Sequence, residues 1–167
     1  GKLIGRLIKE KQFAEIVGVE VSSIALARAA DRLERLPDRV RARVKFLQGA
    51  LIYRDARLRG YDAAALVEVI EHIEPERLIH MERAVFGDAA PRAVIVTTPN
   101  ADYNVLFEKL SAGQFRHADH RFEWTRAEFS DWCARIAKTY GYEVTIEPLG
   151  DIHESHGAPS QMGIFCK

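Results

Sequence analysis

Apolar positions along the chain recur in two alternating rhythms, one helical and one strand-like. Leu3, Ile4, Leu7 and Ile8 fall at helical spacing, and the β-branched run Phe13 to Val21 then predicts a buried strand. Ser22 and Ser23 offer a cap for a helix whose stripe is Ile24, Leu26, Ala27, Ala30, Leu33 and Leu36, ending at Pro37. Val44 to Leu47 and Tyr61 to Val69 read as two further strands. Pro75 to Phe86 predicts a helix with Leu78, Ile79, Met81, Ala84 and Val85 inward, and Ala93 to Thr97 the next strand, stopped by Pro99-Asn100. Residues 98 to 123 are polar and irregular. Thr125, with Glu128 three positions on, is the capping-box signature of a helix through Phe129, Trp132, Ile136 and Tyr140, closed by Gly141. Tyr142 to Ile146 and Met162 to Cys166 predict a last pair of strands, antiparallel and at one edge of the sheet.

Units alternating in this way predict an α/β fold, a doubly wound Rossmann-like sheet with helices on both faces. The 167 residues have room for one domain, 1–167. Because the chain opens with Gly1 inside an amphipathic helix, a strand and a glycine-rich turn are expected upstream, with Gly1 as the turn's last residue and the domain incomplete at its N-terminus. The absent strand would lie between the Phe13–Val21 and Tyr61–Val69 strands, so the isolated piece is expected to be poorly stable or inactive. With 24 basic and 24 acidic residues the net charge is zero, and attraction to a polyanion must come from local patches. Arg28 to Arg59 carries 10 basic against 4 acidic residues, whereas Asp62 to Glu108 carries 3 against 9. The first segment suits phosphates and the second a cation, although charges along solvated helices account for much of the basic excess. No apolar run is long enough to span a membrane. Cys133 and Cys166 are too few for a disulfide framework; each is expected to be a small buried hydrophobe in a reducing, cytoplasmic setting.

Ligands of such sheets bind beyond the carboxyl ends of the strands, which makes Glu20 a candidate for bonding a nucleotide ribose, with a helix-capping carboxylate as the plainer alternative. A sharper cluster is Glu68-Val69-Ile70-Glu71-His72, at the end of the Ala63 to Val67 strand. Two carboxylates and an imidazole on one helical turn offer hard oxygen and nitrogen donors to a divalent cation, against the simpler reading of a solvated acidic helix start. The loop Arg116 to Thr125 adds His117 and His120, either of which would complete the set. Without thiolates, such a site suits Mg²⁺ or Mn²⁺ better than structural zinc. His153 and His156 form at most a minor site, and His80 lies inside a helix.

Glu68-x-x-Glu71-His72, then Val94-Ile95-Val96-Thr97-Thr98-Pro99-Asn100-x-x-Tyr103-Asn104, then Arg116-His117-Ala118-Asp119-His120-Arg121-Phe122-Glu123-Trp124-Thr125-Arg126-x-x-Phe129 together resemble the 3′-terminal RNA ribose 2′-O-methyltransferases of small RNAs and of bacterial RNA repair. The resemblance spans nearly the whole chain and implies a class I adenosylmethionine-dependent methyltransferase. By position it implies metal ligands Glu68, Glu71, His72 and His120, with His117 a neighbour and His72 or His120 a proton acceptor. It implies S-adenosylmethionine as methyl donor, with Glu20 and Ser22 near its ribose and Gln48, Gly49, Ala50 and Leu51 near its adenine. The expected partner is RNA with a free 2′,3′-diol at its 3′ end, its sugar oriented and activated by the cation. Thr98, Asn100, Tyr103, Asn104, Arg116, Arg121 and Arg126 are candidates for substrate contacts, a loop-structuring role being the alternative for each. Bacterial relatives work beside an RNA-repair kinase, phosphatase and ligase. Rival readings are a catechol-type O-methyltransferase, a metallopeptidase, which would need His where Glu68 stands, and a non-catalytic RNA-binding remnant.

Overall fold

The computed structural model describes residues 2–108, 110–111 and 113–167, so the expectation placed on Gly1 lies outside the described residues. The chain divides into two compact units, 1–53 and 54–167, each with its own sheet.

In the first unit α1 (Lys2–Leu7), β1 (Ile16–Glu20), α2 (Ser23–Glu34), α3 (Asp38–Arg41) and β2 (Val44–Gln48) follow in the expected order. The two strands are parallel, with Ile16 opposite Val44 and Glu20 opposite Gln48. Ser22 is extended and its Oγ accepts the Ala25 amide at 3.2 Å, giving α2 a partner for one of its orphan donors. A Cβ at Gly18 would stand 2.6 Å from Ile4 Cδ1, so any larger residue there would displace the side chain that α1 lays on the middle of β1. Arg43 belongs to the basic segment, but its guanidinium is turned inward onto the carbonyls of Ile8, Glu10 and Phe13. It satisfies the loop that joins α1 to β1.

The second unit has four strands in the order β3 (Ala63–Val67), β4 (Ala93–Pro99), β6 (Ser160–Cys166) and β5 (Glu143–Leu149). β3 and β4 are parallel with Ala63 opposite Ala93, while β4–β6 and β6–β5 are antiparallel. The last two strands thus form the expected antiparallel pair at one edge. The helix expected over Pro75 to Phe86 is built in three pieces: a 3₁₀ turn Pro75–Arg77, α4 (Leu78–Glu82) and a π-helical stretch Arg83–Ala89. The widening ends where Ala90, left-handed at φ 46°, returns its amide to Val85 O at 2.9 Å. α5 (Arg126–Tyr140) carries the full capping box between Thr125 and Glu128, and Gly141 ends it at φ 72°.

The core lies on one face of this sheet. Phe86, Phe129, Trp132, Ile136, Met81, Val94, Val96 and Phe165 are buried there, with the Phe86 and Phe165 rings 5.0 Å apart. Gly163 admits α5 closely, since a Cβ would meet Cys133 Sγ at 3.0 Å. The buried Glu82 is held by Trp132 Nε1 at 2.8 Å and by two bonds from Arg135, so the charge is paired. Cys133 is buried as expected, and desolvation pushes its thiol up to about 12. Cys166 is not: as the last residue of β6 it is exposed. Among the described residues no helix is long and apolar enough to cross a membrane.

Candidate functional site

The second unit's candidate site begins with a strained backbone. Directly after β3, Glu68 adopts φ 53°, a left-handed conformation uncommon for any residue with a Cβ. Its amide bonds Thr97 O and Thr97 Oγ1, both at 3.1 Å, and the same hydroxyl donates back to Glu68 Oε1 at 2.9 Å. This reversal leads the chain off the sheet into a 3₁₀ turn, Ile70–His72, in which Ile70 is fully buried. Glu71 and His72 therefore stand at the carboxyl end of β3, where ligands of such sheets bind.

Glu71 is fully buried, and its Oε2 accepts the Thr98 hydroxyl at 3.0 Å. Its other oxygen, Oε1, has no hydrogen-bond partner among the described residues. Burial pushes the Glu71 carboxyl up to about 7; the charge of Glu68 adds to the rise, and bonds from backbone and Thr98 oppose it. The 116–125 loop is fastened to this turn by the Arg121 amide, 2.7 Å from Glu71 O. The fastening brings the His72 and His120 rings to 4.9 Å between centroids. Nδ1 of His72 lies 3.3 Å from Asp119 O, and Nδ1 of His120 lies 2.5 Å from Glu123 Oε1.

One ligand atom each from Glu71, His72 and His120 lies within 4.8 Å of the others. A divalent cation fits this set: the buried orphan oxygen of Glu71 is costly unless paired, and two imidazoles with a carboxylate and no thiolate suit an open, mixed nitrogen and oxygen site. Three of the four expected ligands are thus gathered. Glu68 is not in the group, its Oε1 being turned to Thr97. His117 is a neighbour, its ring 5.7 Å from that of His120. His153 and His156 stack at 5.0 Å in another loop, and among the described residues no group of three potential ligands includes them.

The residues proposed to touch substrate separate into two kinds. Asn100 is buried, its amide nitrogen donating to His156 O and Ala158 O and its oxygen accepting the Asp102 amide. Thr98 is buried beneath Glu71. Asn104 donates to Glu123 Oε2 at 2.5 Å and accepts from Arg116 Nε at 2.6 Å. Arg116, half-buried, sends its other nitrogens to Asn100 O and Pro159 O at 2.5 Å each. These four brace the loops, the alternative role considered for them, and the polar atoms named are engaged within the protein. Tyr103, its ring 5.7 Å from that of Phe107, is half-buried; Arg121 faces Glu74 at 2.9 Å and Arg126 faces Asp102 at 3.0 Å, both arginines at the exposed rim.

In the first unit Glu20 is exposed after β1, and its Oε1 accepts the Ser22 amide at 3.0 Å. Gly49 donates to Glu20 O at 3.1 Å, and Gln48 Nε2 to Val21 O at 3.1 Å. Glu20, Ser22, Gln48, Gly49 and Ala50 thus gather at the carboxyl ends of β1 and β2. Ser22 spends its hydroxyl on the cap of α2. Thr97 and Glu123 also belong to the site, although neither is among the residues expected there. Glu123 was visible as an acid three positions after His120 between Phe122 and Trp124, a setting that favours burial.

Comparison with known proteins adds four likenesses. A family described as a methyltransferase domain matches residues 1–90. The small RNA 2′-O-methyltransferase of Xenopus tropicalis is 35% identical over 161 residues, 91% of this chain and 43% of that protein. The chain therefore spans about two fifths of the length of the curated relatives it matches. The crystal structure of the methyltransferase domain of bacterial CtHen1-CN superposes with TM-score 0.89 at 44% identity, covering 100% of this chain and 85% of that one. A chain of the Pnkp1/Rnl/Hen1 RNA repair complex shares the fold at TM-score 0.68 and 22% identity, over 95% of this chain and 33% of that one.

Proposed function

We propose, for a chain that belongs to the methyltransferase-domain family of the small RNA 2′-O-methyltransferases, that it methylates the 2′-oxygen of the 3′-terminal ribose of RNA. The single observation that carries this reading beyond the family is the convergence of Glu71, His72 and His120, with a buried Glu71 oxygen that lacks a partner among the described residues.

S-adenosylmethionine would supply the methyl group, its ribose bonded by Glu20 and Ser22 and its adenine beside Gln48, Gly49 and Ala50. A Mg²⁺ or Mn²⁺ ion would act as Lewis acid toward the vicinal hydroxyls of the last sugar. The chain's own residues then have separable tasks. Glu71, His72 and His120 hold the cation; Glu68, across from Thr97, adds negative charge beside it. Each imidazole has Nδ1 engaged, by Asp119 O or by Glu123, so Nε2 is the atom left. One nitrogen cannot hold a cation and accept a proton together, so we assign Nε2 of both rings to the cation and the departing hydroxyl proton to solvent. Arg121 and Arg126, exposed at the rim, suit the terminal phosphates, and Tyr103 a base or sugar. One fold neighbour was solved in a Pnkp1/Rnl/Hen1 RNA repair complex, which supports extending to this chain a setting beside an RNA-repair kinase, phosphatase and ligase.

The test offers labelled S-adenosylmethionine and Mn²⁺ with four acceptors: an RNA ending in a cis-diol, its 2′-deoxy and 3′-phosphate counterparts, and a catechol. Label on the cis-diol RNA alone is expected. Transfer to catechol would replace this reading with a small-diol methyltransferase, and RNA binding without transfer would make the chain a binding remnant.

A further inference from the structure

Glu123 lies outside the candidate ligand set, yet it is the most heavily engaged carboxylate beside it. Its side chain is fully buried. Oε1 accepts the Arg116 amide at 2.7 Å and lies 2.5 Å from His120 Nδ1, while Oε2 accepts from Asn104 Nδ2 at 2.5 Å. Asn104 is itself fixed by Arg116 Nε, and Arg116 by Asn100 O and Pro159 O. The carboxylate is therefore immobile within a closed set of donors.

We infer that Glu123 is the positioning residue of His120, holding it as the Nδ1–H tautomer with Nε2 aimed at the Glu71 and His72 ligand atoms. The inference rests on the reading of that cluster as a cation site. The physical argument is that of donors and acceptors. A carboxylate oxygen that already receives the Arg116 N–H can only accept again, so Nδ1 must be the ring's donor. Once the proton is on Nδ1, the lone pair is on Nε2, the one nitrogen able to ligate. A bond at 2.5 Å to a buried partner also removes rotation about the ring's own axis. His72 is oriented by the same logic through Asp119 O, but by a longer 3.3 Å contact to a backbone atom that no side-chain substitution removes. Carboxylate–imidazole pairs of this kind set the tautomer and orientation of metal-binding histidines, and losing one costs about 10- to 100-fold in metal affinity.

The experiment uses the full chain, with ¹⁵N imidazole NMR on the metal-free protein and Mn²⁺ titration followed by calorimetry, for wild type, Glu123→Gln and Glu123→Ala. Thermal melts report folding. In the wild type His120 is expected as the Nδ1–H tautomer. Glu123→Gln keeps an acceptor oxygen and is expected to retain that tautomer with a small affinity loss. Glu123→Ala is expected to give mixed tautomers and an affinity lower by roughly 10- to 100-fold. If the alanine variant does not fold, Glu123→Leu, which fills similar volume without an acceptor, takes its place with the same expected and overturning outcomes. A wild-type His120 protonated on Nε2, or a folded Glu123→Ala with wild-type tautomer and Mn²⁺ affinity, overturns the proposal. Absence of Mn²⁺ binding by the wild type, with the Nδ1–H tautomer present, would instead overturn the cation-site reading while upholding the role of Glu123 in orienting the ring.

Discussion

Thr98 donates its hydroxyl to Glu71 at 3.0 Å, and this one bond satisfies one oxygen of a fully buried carboxylate while the other has no donor among the described residues. The pair makes the empty site costly once Glu71 is ionised.

The pH dependence follows from the same carboxylate. Burial raises Glu71 from its ordinary 4.5 to about 7. Between those limits the native state holds a proton that the unfolded state has released, so stability falls as pH rises through the window and is lowest above it. The full loss is about 3 kcal/mol at most. Metal-free protein is expected to melt lower at pH 8 than at pH 5, Glu71→Gln to flatten this part of the profile, and Mn²⁺ at about 100 times its Kd to restore about 2.7 kcal/mol at pH 8. A melt that rises steadily from pH 5 to 8 without metal would contradict the assignment.

His120→Ala and Glu71→Ala each remove one of the three gathered ligands. Mn²⁺-dependent methyl transfer is expected to vanish in both, with circular dichroism unchanged and metal affinity reduced beyond the roughly 100-fold that loss of an outer partner costs. Full activity in either variant would remove that residue from the ligand set.

The arginines of the 116–126 segment should separate cleanly. Arg116→Ala removes the side-chain bonds to Asn104 Oδ1, Asn100 O and Pro159 O that tie three loops together, and is expected to cost about 2 to 4 kcal/mol in chemical denaturation. Arg121→Ala, at the exposed rim, should leave stability within about 0.5 kcal/mol. It should instead weaken RNA binding and lower the salt dependence by roughly one counterion.

Glu68 combines a left-handed backbone with a charge beside Glu71. Asparagine tolerates that conformation and valine does not. Glu68→Asn is expected to fold with near wild-type stability and to lower the Glu71 titration midpoint, followed by carboxyl ¹³C NMR; Glu68→Val should lose about 2 kcal/mol. An unmoved Glu71 midpoint in Glu68→Asn would show that Glu68 does not act on it through its charge.

Much of this was legible from spacing. The order of strands, the Thr125–Glu128 cap and the Gly141 stop are local signals, and each appears where the pattern put it. Convergence of Glu71, His72 and His120 came from motif resemblance together with placement at strand ends. The split of Pro75 to Phe86 into 3₁₀, α and π turns escaped, because apolar periodicity cannot distinguish helices that differ by one residue in their hydrogen bonds. The inward turning of Asn100, Asn104 and Arg116 matches the loop-structuring alternative, which spacing alone does not select over substrate contact. A polar side chain in an irregular stretch reads as available until the carbonyls it satisfies are known, and those belong to residues as far along the chain as His156 and Pro159. Length bounds the size of a core without fixing how contacts partition, and here they gather in two compact units, 1–53 and 54–167.

The two ends of the four-stranded sheet are unlike in their chemistry. β5 closes one end with Glu143, Glu147 and Pro148, residues that repel or cannot bond an incoming strand. β3, at the other end, is Ala63-Ala64-Ala65-Leu66-Val67, small and apolar residues without the charge or proline that guards β5. That composition suits a strand flanked on both sides, so the sheet is chemically closed at β5 and not at β3.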